Sequence, residues 1–104
     1  MRFYKGNEAV IKPFKAVQNN KTTPVNLTGF TMKWFWTDRE NTSPTGSPIT
    51  ATVTDATNGL FEFSIPATML ANLAKYITFI NMSGIGYNED LKPFNVEIVK
   101  GSAP

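Results

Sequence analysis

The chain has 104 residues, 41% of them hydrophobic, which suits one globular domain with a single core and leaves no room for a separate catalytic domain. It contains no cysteine and no histidine, and so lacks disulfides, thiolate nucleophiles, cysteine metal sites and the usual acid/base of neutral pH. Its 10 basic and 8 acidic residues, for a net charge of +2, are scattered singly, unlike the clustered basic face of a nucleic-acid binder.

The opening MRFYKGNEAVIKP lacks the apolar core of a secretory signal, and no window approaches the apolar run of a membrane helix. The chain is therefore expected to be soluble and unprocessed, and the missing cysteines fit a reducing cytoplasm. A first strand is expected over about Glu8–Val17. Pro13 has no N–H to give to a ladder, so this strand belongs at a sheet edge or at a bend between sheets. Gln18 to Pro24 is a polar turn. In the next strand Phe30, Met32, Trp34 and Trp36 alternate with Thr31, Lys33, Phe35 and Thr37, one apolar face against one mostly polar.

A Ser/Pro/Gly-rich loop over about 38–48 follows and is expected to be mobile. Then Ile49, Ala51 and Val53 alternate with Thr50, Thr52 and Thr54. Asn58-Gly59 marks a hairpin turn into a strand with Phe61, Phe63 and Ile65 on its core face. A one-residue slip there would bury Glu62 and expose both phenylalanines, so the register is well specified. Pro66 to Leu73 suits a short helix with Pro66 in its first turn. The strand over about Lys75–Met82 is bulky on both faces, with Tyr76, Ile80 and Met82 on one and Ile77 and Phe79 on the other. After SGIGYNED comes a last strand, with Phe94, Val96 and Ile98 opposed to Asn95, Glu97 and Val99, and a tail at 100–104 that is expected to fray.

These strands predict an all-β fold, a small antiparallel immunoglobulin-like β-sandwich over residues 1–104 with at most one short helix; a small barrel is the competing architecture. The expected core is Phe30, Met32, Trp34, Trp36, Val53, Phe61, Phe63, Phe94, Val96 and Ile98. Burying one tryptophan removes about 200 Å² from water, so Trp34 and Trp36 are expected to dominate folding.

Little in the chain points to catalysis, and no catalytic, cofactor-binding or metal-binding residue is assigned. Glu89-Asp90 and the looser Asp38 and Glu40 read as solvated turn residues rather than acid pairs or calcium ligands. Gly84-Ile85-Gly86 lacks the third glycine and the helix of a phosphate loop. Four Asn-x-Ser/Thr sequons, at Asn20, Asn26, Asn41 and Asn81, are accounted for by the abundance of Asn and Thr. Phe35 falls on the polar side of its strand and is the aromatic best placed for the surface. Only one face of the Lys75–Met82 strand can point into a single core, so an edge or face carrying Phe35, Tyr87 and one of Ile77 or Phe79 is the expected contact for a partner.

Four segments carry a family likeness: YKGNEAVIKPFKAV, TPVNLTGFTMKW, ATVTDATNGLFEFSIP and LAKYITFINM. In that order they resemble the immunoglobulin-like N-terminal domain of phage baseplate upper proteins and related tail modules. The resemblance implies a non-enzymatic virion structural domain, assembled in the host cytoplasm, that docks to other virion proteins or to copies of itself. It names no functional residues. A capsid decoration or neck protein on a similar fold remains the close alternative. A carbohydrate-binding module is the alternative from another class, and a single-strand nucleic-acid binder is the third.

Overall fold

A computed structural model describes residues 1–6, 9–18 and 22–100 of the chain. Among them lie nine strands: β1 (Arg2–Tyr4), β2 (Val10–Lys15), β3 (Thr31–Thr37), β4 (Ile49–Thr50), β5 (Thr52–Asp55), β6 (Leu60–Ile65), β7 (Ala74–Gly84), β8 (Tyr87–Asp90) and β9 (Phe94–Val99). Glu8, the sequon at Asn20 and the tail from Gly101 fall outside the described residues.

The strands form two sheets. The larger runs β1-β9-β7-β3-β4, with β8 also paired to β7, and the smaller runs β2-β6-β5. In immunoglobulin terms β3-β7-β9 is the C-F-G order and β2-β6-β5 the B-E-D order. The expected all-β sandwich is therefore the fold.

One pair departs from an all-antiparallel arrangement: β1 runs parallel to β9, with Phe3 opposite Ile98. Three residues are too few to display a period, so MRFY does not read as a strand in sequence. Phe3 is buried nonetheless, stacked on Trp36 at 6.2 Å between ring centroids.

Packing follows the alternation. Met32, Trp34 and Trp36 of β3 are buried between the sheets with Phe61, Phe63 and Ile65 of β6, Ile80 and Met82 of β7, and Val96 and Ile98 of β9. The Trp34 ring lies 5.2 Å from Phe63 and meets Phe14 edge-on at 5.5 Å. Phe30 and Phe94 are half-buried against this cluster. Thr78 is the buried polar side chain on the inner face of β7, and its hydroxyl donates to the Phe94 carbonyl at 3.0 Å.

Val53 does not join the core; it is 37% exposed. The expected strand Ile49–Thr54 changes sheets at Ala51. Ile49 pairs with Trp34 in the larger sheet, whereas Val53 pairs with Phe61 in the smaller one. Beyond the switch the register shifts between Val53 and Asp55, and this bulge sits on an edge strand with no further strand among the described residues to cover Val53.

The Asn58-Gly59 turn forms as expected. Asp55 organises it, accepting from the Asn58 backbone N–H at 3.3 Å and from Asn58 Nδ2 at 2.8 Å. The Pro66 segment forms only a 3-10 turn over Ala67–Leu70, which inserts Met69 and Leu70 into the core. Leu73 is left 55% exposed.

The loop after β3 is held by hydrogen bonds of its own. Asp38 Oδ1 accepts from the N–H groups of Glu40 and Thr42, both at 2.9 Å, and Ser47 Oγ accepts from the Trp36 N–H at 3.0 Å.

Most sheet edges are guarded. The smaller sheet ends in β2, where Pro13 withholds a donor and Lys12 takes the register position opposite buried Phe63, and in the bulged β5. The larger sheet ends in the three-residue β1 and the two-residue β4, while the short edge strand β8 includes Glu89 and Asp90, one on each face. Short strands, proline, a bulge and charge all oppose strand addition.

Candidate functional site

The outer face of the larger sheet is set by the pairing of β3 with β7. Phe35 lies directly opposite Phe79, and Thr37 opposite Ile77. Side chains alternate along each strand, so these residues point away from the buried Trp34, Trp36 and Ile80. The Phe35 and Phe79 rings stack at 5.1 Å with their planes 13° apart, a cross-strand aromatic pair that is half-buried. Ile77 lies one pair along the ladder and is 57% exposed. Beside it a concavity of about 290 Å³ is walled by Arg39, Lys75, Ile77, Asn95 and Glu97.

Three of the four residues expected from sequence thus share one face. Tyr87 does not join them. It pairs with Gly84, and its neighbour Glu89 pairs with the buried Met82, so Tyr87 and Glu89 point to the core side of the sheet. There Tyr87 meets Phe30 edge-on at 5.4 Å, and its hydroxyl donates to Glu89. That hydrogen bond, more than burial, raises the phenol above its ordinary value. The parity of β8 was hidden because the residues of the turn before it could be divided in more than one way.

The same alternation separates the acids. Asp90 points to the outer face, where Asn81 Nδ2 donates to its Oδ1 at 2.8 Å and to Asn88 Oδ1 at 2.7 Å. Glu89 points the other way, so adjacent acids in sequence do not converge on one reacting atom. Asp38 is engaged by the loop backbone. Among the described residues, no three His, Cys, Asp or Glu side chains come close enough together to hold a metal ion. No helix of the described residues is long and apolar enough to cross a membrane.

The outer face has a ridge and a break. Leu91 N donates to the Ile80 carbonyl at 2.8 Å, and Thr78 pairs with Phe94. Phe79 alone therefore faces two residues, Lys92 and Pro93, at a bulge between β8 and β9. The apolar ridge of Phe35 and Phe79 abuts this interruption.

No protein-family model matches the chain, and no curated protein sequence matches it.

Proposed function

We propose that this chain is a non-catalytic structural domain of a phage virion, of the tail-tip or baseplate kind, that docks to another protein of the particle through the outer face of its larger sheet. The observation that carries this reading is the ridge of Phe35 and Phe79 continued by Ile77, an isoleucine 57% exposed at mid-sheet. Exposed apolar groups on the face of a sheet, rimmed by Lys33, Lys75 and Asn95, suit a protein partner. The guarded edges favour a face over strand addition as the route of docking. The likeness of the four sequence segments to baseplate modules supplies the virion context.

A sugar platform fits this face less well. Stacking turns one face of each phenylalanine toward the other ring, whereas a sugar binds to open ring faces.

The test is Ile77→Asp introduced into the particle that encodes the chain. The side chain is largely in solvent, so the purified variant should keep its unfolding free energy within about 1 kcal/mol. Purified particles should carry far less of it than of the wild-type chain. Wild-type incorporation of the variant would refute the docking face, and absence of the wild-type chain from purified particles would refute the virion role.

A further inference from the structure

Asn58 is the one asparagine of the chain that is followed by glycine. In water such a dipeptide has a reaction of its own. The Gly59 nitrogen gives up its proton and attacks Asn58 Cγ; the new N–Cγ bond closes a succinimide ring, and Nδ2 leaves with the proton as ammonia. Water then opens the ring at either carbonyl, giving aspartate or isoaspartate, in which the main chain runs through Cβ and Cγ. Water is consumed and ammonia released, with no enzyme or cofactor. Glycine favours the step because it has no side chain to hinder the approach of its nitrogen.

The fold engages both the attacking and the leaving nitrogen. Asn58 is exposed, but Gly59 is buried. The Gly59 N–H donates to the Ala56 carbonyl at 3.2 Å, which also accepts from the Leu27 N–H at 2.9 Å. Asp55 holds the amide: Asn58 Nδ2 donates to its Oδ2 at 2.8 Å and the Asn58 backbone N–H to its Oδ1 at 3.3 Å. A shielded, hydrogen-bonded N–H is harder to deprotonate, and the Asp55 carboxylate opposes a second negative charge beside it. The product, in turn, does not fit. Isoaspartate lengthens the main chain just before Gly59, whose carbonyl accepts from Ala16 at 2.8 Å and whose added Cβ would lie 2.4 Å from the Ala16 oxygen. That seam has no slack.

We infer that Asn58-Gly59 is a self-modification site gated by folding: the closed turn, clamped by Asp55, keeps the folded chain from cyclising, whereas a chain left unfolded is converted to isoaspartate and cannot rebuild the seam between β2 and the turn. Asp55 is a positioning residue in this device, acting through the amide it holds. The device is independent of the sheet-face docking proposed above, because the turn joins β5 to β6 in the smaller sheet.

The test incubates the full chain at neutral pH, as wild type and as Asp55→Ala, with and without unfolding urea. Ammonia release and methyl acceptance by an isoaspartate-specific methyltransferase follow the conversion, and peptide mapping places it. Wild type should convert readily in urea and, when folded, only in proportion to its unfolded fraction, read from tryptophan fluorescence. Folded Asp55→Ala should convert about tenfold or more faster than its own unfolded fraction accounts for, the order of one charge-assisted hydrogen bond. Isoaspartyl chain, purified and returned to buffer, should unfold at a lower urea midpoint than wild type. Equal conversion of wild type in the two conditions would overturn the gating, and an Asp55→Ala rate fully explained by unfolding would overturn the clamp. An isoaspartyl chain that regained the wild-type midpoint would overturn the closed seam.

Discussion

Gly59 and Gly86 have nearly the same backbone conformation, with φ of +71° and +72°, but opposite surroundings. A Cβ on Gly86 would meet nothing within 4 Å, whereas one on Gly59 would fall 2.4 Å from the Ala16 carbonyl oxygen and 3.0 Å from that of Val25. Neither oxygen can rotate away as a side chain would. The Ala16 N–H donates to the Gly59 carbonyl at 2.8 Å, and the Ala16 carbonyl accepts from Val25 at 3.0 Å, so relieving the clash disrupts the seam that ties the end of β2 to the turn before β6. Gly86→Ala should cost only the left-handed penalty of about 1–2 kcal/mol. Gly59→Ala adds at least one weakened backbone hydrogen bond and a displaced carbonyl, about 2–3 kcal/mol more. Its total of about 3–5 kcal/mol is a large part of the ~5–15 kcal/mol that holds a domain of this size. Urea unfolding followed by the fluorescence of the buried Trp34 and Trp36 measures both variants. Equal losses at the two glycines would refute the close approach of Ala16 to the turn.

Two further substitutions address the core and its rim. Trp34→Ala should cost about 3–5 kcal/mol through lost burial and the cavity left among Phe14, Phe63 and Phe94; a midpoint near that of wild type would argue against the two-sheet core. Burial first, and then the negative charge of Asp38, raises the Tyr76 phenol above 10.0. The folded chain therefore holds this proton more tightly than the unfolded one. The stability so gained is complete below the unfolded value near 10.0 and is lost as pH rises through the higher folded value. Unfolding midpoints should fall more steeply between about pH 9 and pH 11 in wild type than in Tyr76→Phe, and parallel falls would contradict the assignment.

Much of the fold was legible because alternation with a bulky apolar face leaves few registers open. Trp34 and Trp36 with Phe30 and Met32, and Phe61 with Phe63 and Ile65, each fixed which side of a strand faces inward, and Asn58-Gly59 marked the hairpin between two strands. The departures arose where tertiary pairing overrode a local pattern. Ile49 to Thr54 reads as one strand, but its halves belong to different sheets, which put Val53 near solvent. Phe3 gave no periodic signal, because its strand is short and acquires its partner from the far end of the chain. At the candidate site, Ile77 and Phe79 could be placed on one face from strand parity alone, and the pairing of β3 with β7 over seven residues brings Phe35 beside them. Tyr87 could not, because its face depends on how the turn at Ile85 and Gly86 divides the chain.

Oxidative footprinting of the chain, free and within purified particles, measures whether the outer face of the larger sheet is covered by another protein. Ile77 on that face and Ile11 on the outer side of the smaller sheet, 57% and 61% exposed, are matched reporters on opposite faces of the sandwich. Ile77, with Phe35 and Phe79, should be labelled in the free chain and protected in the particle while Ile11 stays labelled in both. Equal labelling of Ile77 in the two states, or protection confined to Ile11, would contradict it.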